Sequence, residues 1–144
     1  MIRLAAILMS IVFAGCGAAP SQALQSVELG AQFTLAPGTS VSVKAAKMEV
    51  RFVAVTEDSR CPRDVTCIWA GEVKVQLEIL ETAKAASQVE VLEGGSTVAG
   101  EYRVILVRVE PQPMSTARIA PQDYRATLKI DKASGARVGV RATF

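Results

Sequence analysis

The sequence contains no histidine among its 144 residues. This absence removes the usual general base, the Ser-His-Asp and Cys-His catalytic arrangements, and nearly all zinc and copper sites. No serine forms a Ser-x-x-Lys pair, and no glycine-rich loop follows a strand and opens a helix, as a phosphate-binding motif requires. We therefore expect no catalytic residue, no metal and no cofactor, and we predict that the protein is not an enzyme.

A strong charge of one sign is also missing, because 16 Lys and Arg stand against 14 Asp and Glu. Binding to nucleic acid requires a clustered basic face, so we expect no nucleic-acid partner. Only one apolar run is long, and it lies at the N-terminus. What remains is enough chain for one ordinary domain with a substantial core.

The N-terminus has the pattern of a secretory signal. Arg3 precedes an apolar run over residues 4–13, and the small residues Ala14 and Gly15 lead directly to Cys16. The run is too short to cross a bilayer, which needs roughly 20 apolar residues. An ordinary signal that is cut near residues 18–20, with Cys16 in the discarded piece, remains an alternative.

The cysteine directly after Ala14 and Gly15 resembles the bacterial lipobox, in which the cysteine is lipidated and becomes the first residue of the mature chain. The resemblance implies several acyl chains on Cys16, which hold a protein stably at a membrane, whereas one chain holds it only marginally. Gly17, where an Asp would favour the inner membrane, implies the outer membrane. We thus predict a signal peptide (1–15), a lipidated tether (16–26) and an all-β domain (27–144), anchored at the periplasmic face of the outer membrane.

Two cysteines remain for the mature domain, Cys61 and Cys67. An even pair in an oxidising compartment predicts a disulfide. A redox-active pair would prefer Cys-x-x-Cys spacing, and a metal site would need two more ligands. Neither alternative has support in the sequence, so we expect a structural disulfide.

Short runs of alternating or continuous β-type residues fill the rest of the chain, with Gly and Pro turns between them. Because no convincing long helix interrupts them, we predict an all-β fold, a single antiparallel β-sandwich or small β-barrel-like domain. The predicted strands are residues 27–35, 41–43, 47–56, 73–79, 89–91, 101–110, 124–130 and 138–144.

Residues 57–72 break this pattern and hold both cysteines of the domain and the only tryptophan. Interleaved acids and arginines predict ion pairing across a turn, with Ca²⁺ binding or acid–base catalysis by the carboxylates as alternatives. We expect Trp69 to pack against the disulfide or the end of the core, although an exposed stacking residue is possible. If the domain recognises anything, the candidate binding rim consists of Asp58, Arg60, Arg63, Asp64 and Trp69.

The motif Asp-Ser-Arg-Cys-Pro at residues 58–62, followed by Cys67 and by Trp-Ala-Gly-Glu at 69–72, resembles the signature of a family of bacterial secreted proteins and lipoproteins. Residues 109–113 and the pair Asp123 and Tyr124 fit the same pattern. The resemblance implies a family and no activity, so no catalytic residue is carried over.

From the residues we expect a cell-envelope lipoprotein that acts as a non-enzymatic binding or structural module. Its partners would be the membrane, through Cys16, and an envelope protein, peptide or glycan. The alternative is an envelope hydrolase or inhibitor accessory that uses the carboxylates near the disulfide. Ion-paired charges on a convex loop would favour the first interpretation, and two converging unpaired carboxylates would favour the second.

Overall fold

The structure, a computed structural model, describes residues 25–133. The predicted signal peptide, Cys16 and the predicted strand at 138–144 lie outside the described residues. Two short 3₁₀ turns, Lys44–Ala46 and Pro121–Asp123, interrupt a chain of strands. The strands are β1 (Gln25–Ser26), β2 (Gln32–Leu35), β3 (Ser40–Val43), β4 (Met48–Asp58), β5 (Val73–Glu81), β6 (Ser87–Leu92), β7 (Ser96–Ala99), β8 (Tyr102–Glu110) and β9 (Arg125–Lys132).

These strands form two sheets. One has the order β1-β3-β4-β5-β6 and the other the order β2-β9-β8-β7. All pairings between neighbours are antiparallel except that of the two-residue β1 with β3, which is parallel. The two sheets pack face to face, and the described strands do not close into a barrel. The predicted all-β sandwich is therefore confirmed.

The core lies between the sheets and follows from the alternation of the sequence. In β5, the residues Val73, Val75, Leu77 and Ile79 point inward and are buried, while the intervening polar residues face outward. Phe52 of β4 is fully buried as well. Burying one such side chain contributes about 1.5–3 kcal/mol, so this layer supplies the main stabilisation of the fold.

Three local features differ from the simple strand pattern or refine it. The predicted strand over residues 27–35 is broken, because Gly30 has φ = 81° in a turn that separates β1 from β2. The four-residue β7 was not predicted, since only glycines marked that hairpin. The third predicted strand is irregular, because β4 shifts its register against β5 at Val53 and again at Thr56.

Candidate functional site

The connection between β4 and β5, residues 59–72, is called the disulfide loop below. Its base continues the hairpin beyond the strands: Ser59 N–H donates to the Glu72 carbonyl oxygen (2.8 Å) and Cys61 N–H donates to the Ala70 carbonyl oxygen (2.9 Å). Gly71 has φ = 68°, and a Cβ on it would lie 1.9 Å from the carbonyl oxygen of Ser59. Only glycine fits this position, because the two arms of the loop approach so closely there.

A disulfide joins Cys61 to Cys67 with 5.9 Å between the Cα atoms, as predicted. The loop is also held from outside by residues 113–115, in the connection between β8 and β9. Ser115 donates to Asp64 from its backbone N–H (2.9 Å) and from its hydroxyl (2.5 Å). These hydrogen bonds hold the pKa of Asp64 below its ordinary value. The disulfide loop is thus held both by its own cross-link and by its neighbour.

A buried ion pair lies beneath the loop. The guanidinium of Arg60 donates to both carboxylate oxygens of Asp58, with Nε–Oδ1 at 2.8 Å and Nη2–Oδ2 at 2.6 Å. Its other N–H groups reach the carbonyl oxygens of Val109 (2.7 Å) and Pro111 (3.0 Å) at the end of β8. Because Asp58 belongs to one sheet and Val109 to the other, Arg60 ties the two layers of the sandwich together.

Two further side chains complete this buried cluster. Tyr124 donates its hydroxyl to Asp58 Oδ2 (3.1 Å), and Glu93 accepts the backbone N–H of Val109 (2.8 Å). Burial alone would raise the pKa of Asp58, but the hydrogen bonds and the charge of Arg60 outweigh burial and lower it. Burial and the bond to Asp58 together raise the pKa of Tyr124. The lowered pKa favours the carboxylate form of Asp58, and no buried side-chain polar atom among the described residues lacks a hydrogen-bond partner.

The far end of the disulfide loop is apolar and exposed. Ile68 is 95% exposed, Trp69 83% and Val65 47%, and we call these three residues the apolar tip. The expectation that Trp69 packs against the disulfide or the core is wrong. The reason is geometric, since the disulfide and the hairpin bonds at residues 59–61 and 70–72 hold the tip away from the sandwich.

The structure divides the predicted rim into two groups. Arg63, Asp64 and Trp69 lie on the outer part of the loop, where Arg63 Nε contacts Met114 Sδ at 3.0 Å. Asp58 and Arg60 lie at its base, with side chains only 10% and 6% exposed. The latter two therefore belong to the support of the loop and not to its rim.

The remaining acids near the loop are paired as well. Lys74 Nζ lies 2.7 Å from Glu57 Oε2 and 3.2 Å from Glu72 Oε1. Hydrogen bonds to both carboxylates raise the pKa of Lys74. The predicted pairing of acids with arginines is thus confirmed for Asp58 and Arg60, whereas Asp64 instead accepts hydrogen bonds from Ser115. Within residues 25–133, no three acidic or thiol ligands come together as a metal site would require.

Comparisons of the chain with protein-family models, with curated proteins and with solved structures find no match. In the part of the chain that the structure describes, no helix is long and apolar enough to cross a membrane.

Sequence reasoning missed two parts of this site. Val65 and Ile68 form the apolar tip with Trp69. The signal for them was the presence of apolar residues in a loop that otherwise carries charged and polar residues. The hydrogen bonds from Ser115 to Asp64 were also missed, because 51 residues separate the two positions and no local pattern links them.

Proposed function

We propose that this protein is a non-enzymatic cell-envelope binding module that captures a protein, peptide or glycan partner with the apolar tip of its disulfide loop. The observation that carries the proposal is the exposure of Ile68 and Trp69 on a loop that is fixed by a disulfide and by the hydrogen bonds from Ser115 to Asp64. Exposed aromatic residues on a rigid support are typical anchors of binding interfaces, because little conformational entropy is lost when they are buried by a partner.

The energetics of the tip support this proposal. A tryptophan presents roughly 150–250 Å² of surface, and each Å² of apolar area removed from water contributes about 25 cal/mol. Because Trp69 is 83% exposed, burial of its side chain contributes little to the stability of the fold itself. A partner that covers the tip would gain the contribution of this area, and truncation of such an anchor costs a complex about 2 kcal/mol or more.

The charges around the loop support binding over the hydrolase alternative. Asp58 is held by Arg60 and Tyr124, while Glu57 and Glu72 share Lys74. A general acid–base pair needs two carboxylates that face a common space with different pKa values. These carboxylates instead bond to protein cations and hydroxyls, which favours a supporting role.

Capture from detergent-solubilised envelopes tests the proposal. The full chain is used as bait beside the double variant Ile68→Ser/Trp69→Ser. The matched control is Val98→Ser, which removes an apolar side chain that is 60% exposed on β7. We expect the wild type and the control to retain the same partner and the tip variant to lose it. Retention by all three baits would contradict the proposal.

The lipid anchor at Cys16 is the second part of the proposal, and it is supported by the sequence pattern alone. It is tested by expressing the full gene with Cys16→Ser. We expect the variant to leave the membrane fraction and to lose the mass of the acyl groups. Unchanged fractionation and mass would contradict the anchor without bearing on the apolar tip.

A further inference from the structure

One edge of β4 is open over half of its length. On the side that faces β3, the last backbone bonds are made by Phe52, which donates to Thr39 O (3.0 Å) and accepts from Gly38 N (2.7 Å). Beyond Phe52 the chain of β3 turns away to the other sheet. Residues 53–58 stay beside β5, with register shifts at Val53 and Thr56, and have no strand on this side within the described chain. Six residues of strand edge, about 20 Å long, are therefore available for pairing.

This open edge forms one wall of a cleft of about 580 Å³. The opposite wall comes from the connection between β8 and β9, with Ile119, Pro121 and Tyr124. A second cleft of about 310 Å³ shares Ile119 and Tyr124 and continues to Pro62 and Arg118. We call the two together the edge groove. Its size is in the range of binding sites, and its lining is mostly apolar at the open edge.

The charge of the groove differs between its ends. Arg60 in the second cleft is balanced by Asp58 at 2.6 Å. Arg118 is exposed, and none of the ion pairs within residues 25–133 includes it. The groove thus presents a cation at the end next to the disulfide loop. A carboxylate on the occupant would complement it.

We propose that the edge groove binds an extended peptide, which adds to β4 as a strand along residues 53–58 and places a carboxylate at Arg118. The open backbone supplies main-chain hydrogen bonds, and the apolar walls accept alternate side chains, as in other cases of strand addition. The carboxylate is either the C-terminus of the peptide or an acidic side chain. This site is separate from the apolar tip and does not depend on it.

Fluorescence polarisation with the full chain tests this inference. The probes are labelled decapeptides of alternating Thr and Val with three ends: a free C-terminus, a C-terminal Glu with an amide cap, and an uncharged amide. We expect at least one of the two acidic probes to bind about tenfold more tightly than the uncharged one, and their ranking identifies the source of the carboxylate.

Four variants locate the binding. Arg118→Glu is expected to abolish the preference for acidic probes, while Arg103→Glu, the same change at an exposed position at the other end of β8, leaves it intact. Ala54→Leu fills the groove and is expected to weaken all probes. Trp69→Ser leaves binding unchanged, which separates this site from the apolar tip.

Hydrogen exchange identifies the mode of binding, because an added strand must slow exchange in residues 53–58. The inference is overturned if no probe binds, if binding is insensitive to both Arg118→Glu and Ala54→Leu, or if residues 53–58 gain no protection. It is also overturned if peptides that correspond to residues 17–24 or 136–144 of this chain bind more tightly than the designed probes. The groove would then be a binding site for a segment of the chain itself.

Discussion

Replacing Arg60 by Met should destabilise the domain more than any other removal of a charged side chain near the loop. The substitution keeps an unbranched apolar side chain but removes two bonds to Asp58 and the bonds to the carbonyl oxygens of Val109 and Pro111. It also leaves the carboxylate of Asp58 buried without a cation, with the backbone N–H of residue 60 (3.2 Å) and the hydroxyl of Tyr124 (3.1 Å) as its remaining partners. Removing one member of a buried pair in this way costs about 3–5 kcal/mol.

The matched control is Lys84→Met, which breaks an ion pair of nearly the same length (2.7 Å against 2.6 Å). Lys84 lies 2.7 Å from Glu81, but its side chain is 60% exposed. An exposed pair contributes about 0–1 kcal/mol, so this change should be nearly neutral. Both variants remove one cation and its ion pair, but only Arg60→Met also removes bonds to carbonyl oxygens, so the contrast separates a buried, multiply bonded cation from an exposed one.

The assay is urea unfolding of the wild type and both variants, with thermal unfolding as a check. For a domain of this size, the cost at Arg60 corresponds to a decrease in Tm of roughly 12–20 °C. The double variant Asp58→Asn/Arg60→Met should cost less than the sum of the single variants, because both remove the same contact. If Arg60→Met costs no more than Lys84→Met, the assigned role of Arg60 in joining the sheets is refuted.

Three further predictions concern the support of the loop. Because the pKa of Asp58 is lowered, its carboxylate stabilises the fold above the ordinary pKa of 3.8, and this stabilisation is lost as the pH falls below that value. Asp58→Asn should therefore reduce the decrease in unfolding free energy that the wild type shows between about pH 5 and pH 2. An equally steep decrease in that variant would contradict this. Gly71→Ala should destabilise the domain more than Gly38→Ala, because both glycines have positive φ but only the Cβ added at Gly71 would meet a backbone atom, at 1.9 Å. Equal unfolding free energies of the two variants in urea would contradict this close approach. Replacing Cys61 and Cys67 together by Ser should cost about 2–3 kcal/mol and raise proteolysis within residues 61–70. If the loop of this variant resists proteolysis as well as that of the wild type, the hydrogen bonds from Ser115 to Asp64 hold the loop without the disulfide.

The strands could be predicted from the sequence where one face of a strand is buried and the other is exposed to solvent. Lys74, Gln76 and Glu78 alternate with apolar residues in β5, so the pattern identifies both the strand and its inner face. The same reasoning failed over residues 27–35. Alternation continues through Gly30, but the turn there depends on a positive φ that periodicity does not register.

The candidate site was predictable in its chemistry but not in its arrangement. The cysteine count indicated the disulfide, and the alternation of acids with arginines indicated ion pairs. Which pairs form was not predictable, because Arg60 is fixed by Val109 and Pro111, about fifty residues away. Trp69 was misplaced for a related reason. A tryptophan usually has a core within reach, and here the cross-linked loop holds it outside.

The central claim, that the apolar tip is a binding surface, is tested most directly by ¹⁹F NMR of the full chain labelled with 5-fluorotryptophan. Trp69 is the only tryptophan in the sequence, so the label gives a single resonance from the tip. In buffer we expect this resonance to respond to a soluble paramagnetic agent. When the envelope extract that supplies the captured partner is added, the resonance should shift and lose that response. An unchanged resonance that remains open to the agent in that extract would contradict the account.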